Sequence, residues 1–237
     1  MKYLAFLLLL CGAFSQAQRA DVPRDQNAIP DVVDSLYRED QFYLGLAFNL
    51  VTNDPSAFSQ NGFSGGLNAG FIRDMPINDR RNVAIGVGLG LSTNTYNSNL
   101  FVGELEGERT IFQVLDNQTE YQSNRFNTNL VELPVQFRWR TSTATTTNFW
   151  RIYTGFKLGY LFHFKSTFKQ DGITLKQTEV AELNRLRYVG TLTIGNGSFN
   201  AFVHYNLNTL FNDKAITTDG EQVGLQPIKF GVEFYFL

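Results

Sequence analysis

Two histidines and a handful of charged side chains are the residues of this sequence whose types and positions could do chemistry. His163 and His204 are the only histidines, and imidazole titrates close enough to neutral pH that either could in principle act as a general base. Enzymes that use such a base hold it within hydrogen-bond reach of a serine or of carboxylates. Ser166 lies near His163 in sequence, but across a strand end that spacing does not put both side chains on one face. Neither histidine has convincing company. Both are taken as ordinary hydrogen-bonding groups at inward or loop-proximal positions, and no catalytic residue is expected.

The charged set is Glu132, Arg138, Arg151, Lys157, Lys229 and Glu233, each opposite the bulky apolar face of its segment. Burying such groups singly is costly, so a network of paired charges is expected among them. It would act as a plug that fixes the fold or, less in keeping with a narrow interior, as a gate or proton path. Glu104, Glu106 and Glu108 alternate in a long connection and would project from one side of an extended hairpin. They could meet a divalent cation or a basic partner, but one loop supplies no complete coordination sphere, so a solvated acidic face is the preferred reading. The run Gly86-Val87-Gly88-Leu89-Gly90 has glycine at every second position, unlike a phosphate-binding turn, and leaves room for large side chains from across an interior. With Cys11 the only cysteine, disulfides and thiolate metal sites are excluded. No metal or cofactor is expected.

The elements that position these residues are strands. From Gln41 onward the dominant period is two. Phe42, Leu44, Leu46, Phe48 and Leu50 alternate with Tyr43, Gly45, Ala47 and Asn49. The pattern recurs around Phe63–Phe71, Val83–Leu91, Val131–Trp139, Trp150–Phe162, Leu186–Ile194, Phe199–Leu207 and Ile228–Phe236. A soluble sandwich buries its bulky face and shows water a face rich in Lys and Glu. Here the bulky face is nearly free of charge and the other is mostly Gly, Ala, Ser and Asn, the pattern of a narrow barrel in lipid. The fold class expected is all-β: a closed antiparallel up-and-down transmembrane β-barrel of about eight strands over 41–237.

Connection lengths alternate as such a barrel requires, with long extracellular loops and short periplasmic turns. Thr52–Asn61, Thr95–Arg125, Ser166–Asn184 and Phe211–Leu225 are long; Asp74–Arg81, Thr141–Thr147 and Gly195–Ser198 are short. Trp139 and Trp150 flank the Thr-rich turn and are expected opposite one another in an interface girdle. In that register Leu133 faces Phe156 and Glu132 faces Lys157. Pro134 lacks a ladder donor, so a bulge or local break is expected there.

Residues 1–17 read as a cleaved signal peptide, with Lys2, an apolar run from Tyr3 to Leu10 and Ser15-Gln16-Ala17 before the cut. Lipidation at Cys11 is disfavoured by Leu10, where a small residue is expected. Residues 18–40 are polar, with Pro23 and Pro30, and read as a flexible periplasmic leader. The formal net charge of −2 gives no electrostatic case for nucleic acid. No later apolar stretch approaches the ~20 residues of a spanning helix.

The last strand, with Lys229, Gly231, Phe234 and Phe236, resembles the C-terminal signal read by the barrel-assembly machinery, though it ends on Leu237 rather than an aromatic residue. The segments Val131-Glu132-Leu133-Pro134-Val135 and Trp150-Arg151-Ile152-Tyr153-Thr154-Gly155-Phe156-Lys157-Leu158-Gly159-Tyr160, with Leu186–Phe211 and Leu225–Leu237, resemble the PorT-like family of small outer-membrane barrels. That resemblance implies the barrel fold, outer-membrane lipids and the assembly machinery as partners, and, in one branch of the family, work with the type IX secretion apparatus. The expected function is that of a non-enzymatic barrel acting through its external loops or through contacts with secretion or other envelope proteins. A narrow solute channel is the alternative; a lipid-modifying or proteolytic barrel enzyme comes third.

Overall fold

A computed structural model describes residues 40–105, 109–116, 118–142 and 149–236. The expected signal segment 1–17, the leader to residue 39, Glu106, Glu108, residues 143–148 and Leu237 lie outside the described residues. The elements are β1 (Gln41–Thr52), β2 (Gly65–Pro76), β3 (Val83–Asn97), β4 (Leu100–Leu105), β5 (Arg109–Val114), β6 (Ser123–Arg140), β7 (Trp150–Gln170), β8 (Ile173–Gln177), β9 (Leu186–Asn196), β10 (Phe199–Asn206) and β11 (Gln226–Phe236). Nine strands form one sheet, in the order β6-β3-β2-β1-β11-β10-β9-β7-β8, and a β6–β7 pairing joins its two arms. Setting aside the short β8, eight antiparallel strands close the barrel, each paired with its sequence neighbours and β1 with β11. Closure leaves no free edge within the barrel itself.

Side chains divide by the alternation read from the sequence. Phe42, Leu44, Leu46, Leu91, Leu133, Phe156 and Phe230 lie exposed on the outside, while Tyr43, Asn49, Ser92, Glu132 and Lys157 are buried inside. On β7 the outward run from Trp150 to Phe162 extends about 40 Å along the strand, or about 30 Å across a bilayer at the usual tilt. That matches a hydrocarbon layer. The strand continues to Gln170, so β3, β6 and β7 project beyond the apolar band at the long-loop end.

The register of the β6–β7 hairpin differs from expectation by two residues. Leu133 faces Leu158, Pro134 faces Lys157 and Trp139 faces Ile152. The hairpin closes on Thr141 and Trp150, through Thr141 N–H donating to the Trp150 carbonyl at 2.9 Å and Trp150 N–H donating to Thr141 Oγ1 at 3.0 Å. A two-residue slip keeps every side chain on its face, so the hydrophobic pattern cannot detect it. Pro134 causes a break without a bulge. It stays in register with Lys157, while the β3–β6 rungs run from Val87/Val135 to Gly90/Glu132 with none between.

The bulge lies elsewhere, between the Asn129/His163 and Leu130/Leu161 pairs. Phe162 is the extra residue, and Phe162 and His163 are both exposed. From there the odd-numbered residues of β7 face out. Strict alternation would have turned His163 inward; the bulge puts it outside, with Phe164 directed into the interior.

The long connections also carry more structure than open loops. Thr95–Arg125 contains the end of β3, the β4–β5 hairpin and the start of β6, and Ser166–Asn184 contains the end of β7 and β8. The β7–β8 turn uses Asp171 at φ 43° and Gly172 at φ 81°. Two adjacent positive φ values give the twist that a tight hairpin requires.

Candidate functional site

The interior is a stack of layers built by the inward positions of all eight barrel strands. Nearest the short turns, Asp74 of β2 is enclosed by two arginines of β6. Its Oδ1 accepts from Arg138 at 2.7 Å and from Arg140 at 2.9 Å, and its Oδ2 accepts from Arg140 at 2.9 Å. All three side chains are fully buried. Arg138 also donates to Gln41 Oε1 and stands 4.2 Å from the Tyr153 ring centre. Arg140 donates to the Arg81 carbonyl at 2.7 Å. Arg151 lies 4.5 Å from the Phe149 ring and 5.4 Å from that of Tyr235. A desolvated guanidinium over an aromatic face gains electrostatic stabilisation, so rings as well as carboxylates hold these cations.

At mid-height Lys157 donates to Glu132 Oε2 at 3.2 Å, and Ser92 Oγ donates to Oε1 of the same carboxylate at 2.8 Å. Glu233 accepts from Asn68 and from the Tyr235 hydroxyl, both at 2.7 Å. His204 is buried with its ring stacked on Phe202, their centres 4.3 Å apart, and pairs in register with Lys229. Higher still, Arg187 donates to Asn206 Oδ1 and to the Asn208 carbonyl, each at 3.0 Å, and to the Thr209 carbonyl. A cavity of about 10 Å³ lies between Tyr96, Leu130, Leu161, Arg187 and Lys229. It has room for one water at most.

Above Arg187 the interior turns apolar. Tyr96, Leu100, Phe112, Phe126, Leu161, Phe164, Leu210, Phe211 and Leu225 form a buried cluster drawn from strands and loops alike. Phe211 meets Phe112, Phe126 and Phe164 edge-on at 5.0, 6.5 and 6.0 Å. Backbone bonds from Leu210 N to the Leu225 carbonyl and from Leu225 N to the Asn53 carbonyl tie the loops together. Folded loops thus cap the long-loop mouth.

All six expected interior charges face inward and are buried. They divide between layers: Glu132 and Lys157 pair directly, Arg138 joins Asp74, and Glu233 is held by neutral donors. Asp74, Arg140 and Arg187 were not among the candidates, although Arg140 shares the parity of Arg138, Asp74 that of the buried Asn68, and Arg187 alternates with the outward Leu186 and Tyr188. Glycine makes room where the layers are tightest. A Cβ on Gly86 would lie 2.7 Å from Arg138 Cδ, and one on Gly90 would overlap the Tyr43 hydroxyl.

Other expected sites are scattered. His163 is on the outer surface, Ser166 is buried on the inner side, and His204 is deep in the interior, so no histidine–serine constellation forms from them. Trp139 and Trp150 are exposed at the short-turn end. Lys229, Gly231, Phe234 and Phe236 occupy β11, with both aromatic residues paired to β1. Glu104, the described member of its acidic row, is exposed and lines an opening of about 450 Å³ with Thr110, Gln177, Glu179 and Arg185. Past the end of β5 the Thr119 hydroxyl, with the Thr119 and Gln118 amides, donates to Asp116 and holds its carboxyl below the usual range.

The family described as outer membrane protein beta-barrel domain matches residues 14–212. No curated protein matches the sequence. Among solved structures, that of Ail, the attachment invasion locus protein of Yersinia pestis, is similar at 14% identity with a TM-score of 0.38, covering 84% of this chain and 99% of that one. The same Yersinia pestis protein in complex with the heparin analogue sucrose octasulfate is similar at 12% identity with a TM-score of 0.34, covering 83% of this chain and 97% of that one.

Proposed function

The chain belongs to the outer membrane protein beta-barrel domain family, and from that premise we propose that it is a non-enzymatic outer-membrane protein working through its external surface. The observation that carries this reading is the double obstruction of the interior, by ion-paired arginines near the short turns and by an apolar cap under the long loops. Eight strands enclose little more than their own side chains. The long-loop end faces outside and the short turns face the periplasm, as in other barrels of this construction. What the protein offers a partner is the β4–β5 hairpin, β8 and the opening between Glu104, Glu179 and Arg185. The resemblance to PorT-like barrels makes a component of the secretion apparatus the first partner to test, with other envelope proteins next.

Planar-bilayer recording from the purified protein tests the reading directly. The expected result is no large, steady conductance from the wild type; sustained open current would replace this function with that of a solute channel. Affinity capture from native outer membranes then compares the wild type with a Glu179→Lys/Arg185→Glu variant. Retention of a secretion component that the variant loses would place the contact on the loop opening, whereas equal retention would move it elsewhere on the barrel.

A further inference from the structure

Beyond the bulge at Phe162, the outer surface of the projecting sheet changes from apolar to basic. Thr167 of β7 has Arg125 of β6 directly opposite on one side and Lys176 of β8 directly opposite on the other. Lys165 and Lys169 lie two residues to either side on β7, on the same face. Directly opposed residues have Cβ atoms about 5 Å apart and same-face residues along a strand about 7 Å, so the cations bracket a single spot. Thr167 at the centre is buried, whereas Arg125, Lys169 and Lys176 are exposed and Lys165 is half-buried. The other positions paired with this cluster are Asn97, Ser123, Asn127 and Thr174, with no carboxylate among them. The ion pairs found among the described residues all lie elsewhere.

Below the basic cluster is a groove in the outer wall. It has a volume of about 360 Å³ and is lined by Leu44, Leu67, Ala69, Leu91, Thr93 and Phe162. Asn129, paired with Thr93 and His163, marks the boundary between groove and cations. Arginine and lysine together suit a phosphate, through forked hydrogen bonds and point charge respectively. Clustered cations beside a membrane surface recruit anionic headgroups.

The geometry points to a site for the phosphorylated headgroup of lipopolysaccharide in the outer leaflet, formed by Arg125, Lys165, Lys169 and Lys176, with an acyl chain of the same lipid in the groove beneath. The continuity of apolar groove and cationic cluster favours a lipid over a soluble polyanion, which would use the cations alone. The inference rests on the long-loop end facing outside. It adds a ligand to the barrel wall and is independent of which protein the loops meet.

The test uses the full chain folded in detergent micelles and titrated with diphosphorylated lipid A, with the same lipid A freed of phosphate, and with inositol hexakisphosphate as a phosphate probe without acyl chains. The wild type should prefer phosphorylated over phosphate-free lipid A by about tenfold or more, and a variant with Arg125, Lys165, Lys169 and Lys176 all replaced by Ala should lose that preference. An Arg80→Ala/Lys214→Ala control should keep it. Ala69→Phe, which fills the groove, should weaken lipid A binding severalfold and leave the hexakisphosphate unaffected. Absence of a phosphate preference, or its persistence in the fourfold variant, overturns the site. Equal affinity for lipid A and hexakisphosphate, with no effect of Ala69→Phe, assigns the cations to a soluble polyanion and overturns the lipid. Should the fourfold variant fail to shift mobility on heating as a folded barrel does, Lys165→Ala and Lys169→Ala serve singly, each expected to weaken phosphorylated lipid A by about two- to fivefold, and no loss in either overturns the site. Orientation is checked separately: Thr218→Cys should react with a membrane-impermeant maleimide on intact cells, and failure there rejects the external placement whatever the micelle titrations give.

Discussion

The two ends of the barrel interior are closed by opposite chemistry. Near the short turns, Asp74 pairs with and orients both Arg138 and Arg140, and aromatic faces receive Arg138 and Arg151. At the long-loop mouth, Phe112, Phe126, Phe164 and Phe211 close the space with apolar contact. The polar end depends on partners placed at fixed distances and angles, because a buried charge that loses its partner is left desolvated. The apolar end depends on volume, and its members can come from any segment that reaches the mouth. One end is therefore specified by strand register, the other by how loops fold back.

The largest way to break this comparison is Asp74→Ala. It leaves two buried arginines without their shared carboxylate and should cost about 3–5 kcal/mol of stability, read by urea unfolding in lipid vesicles. A loss below about 1 kcal/mol would mean that the rings and carbonyls around the arginines suffice, and the two ends would differ less than their chemistry suggests.

A second substitution, Phe211→Ala, should remove about 3 kcal/mol, the low end for a buried phenylalanine because loops can partly collapse into the space. The loss should be local. Hydrogen exchange of amides in 207–225 should quicken while barrel-ladder amides keep their protection; a uniform loss would show that the cap and the barrel unfold together.

The smallest effect sharpens the role of close packing at the polar end. Gly86→Ala places a methyl 2.7 Å from Arg138 Cδ and 2.9 Å from Ile72 Cγ2, for an expected loss of about 1–2 kcal/mol. Gly190→Ala is the matched control, since its methyl would meet nothing nearer than the Tyr205 carbonyl oxygen at 3.9 Å. Equal losses from both would assign the effect to the glycine backbone rather than to room for the arginine.

The barrel wall was legible because lipid and a narrow interior impose contrasting demands on alternate residues. Leu44, Leu46 and Leu91 fall on one face, and Gly45, Ala47 and Ser92 on the other. The inward charges followed from the same parity. Asp74 was missed because it sits where strand was taken for turn, and Arg140 because it lies one residue past Trp139, where the strand was taken to end, although each continues the inward parity of its strand. The apolar cap left no comparable signal. Phe112, Phe211 and Leu225 lie in stretches without sustained alternation, and only the return of four connections to one mouth gives them a common core.

The sequence by itself determined that this chain forms an apolar, nearly charge-free outer wall around a small-residue, charged interior, since each demand is met by residues a fixed period apart. Tertiary structure decided which charges meet, by setting the β6–β7 register that two equivalent slips would satisfy. It also decided where alternation reverses, by placing one extra residue at Phe162. That bulge turns His163, Lys165 and Lys169 to the outside and Phe164 and Phe168 to the inside. Parity along one strand is a local property, whereas its origin depends on the strand opposite.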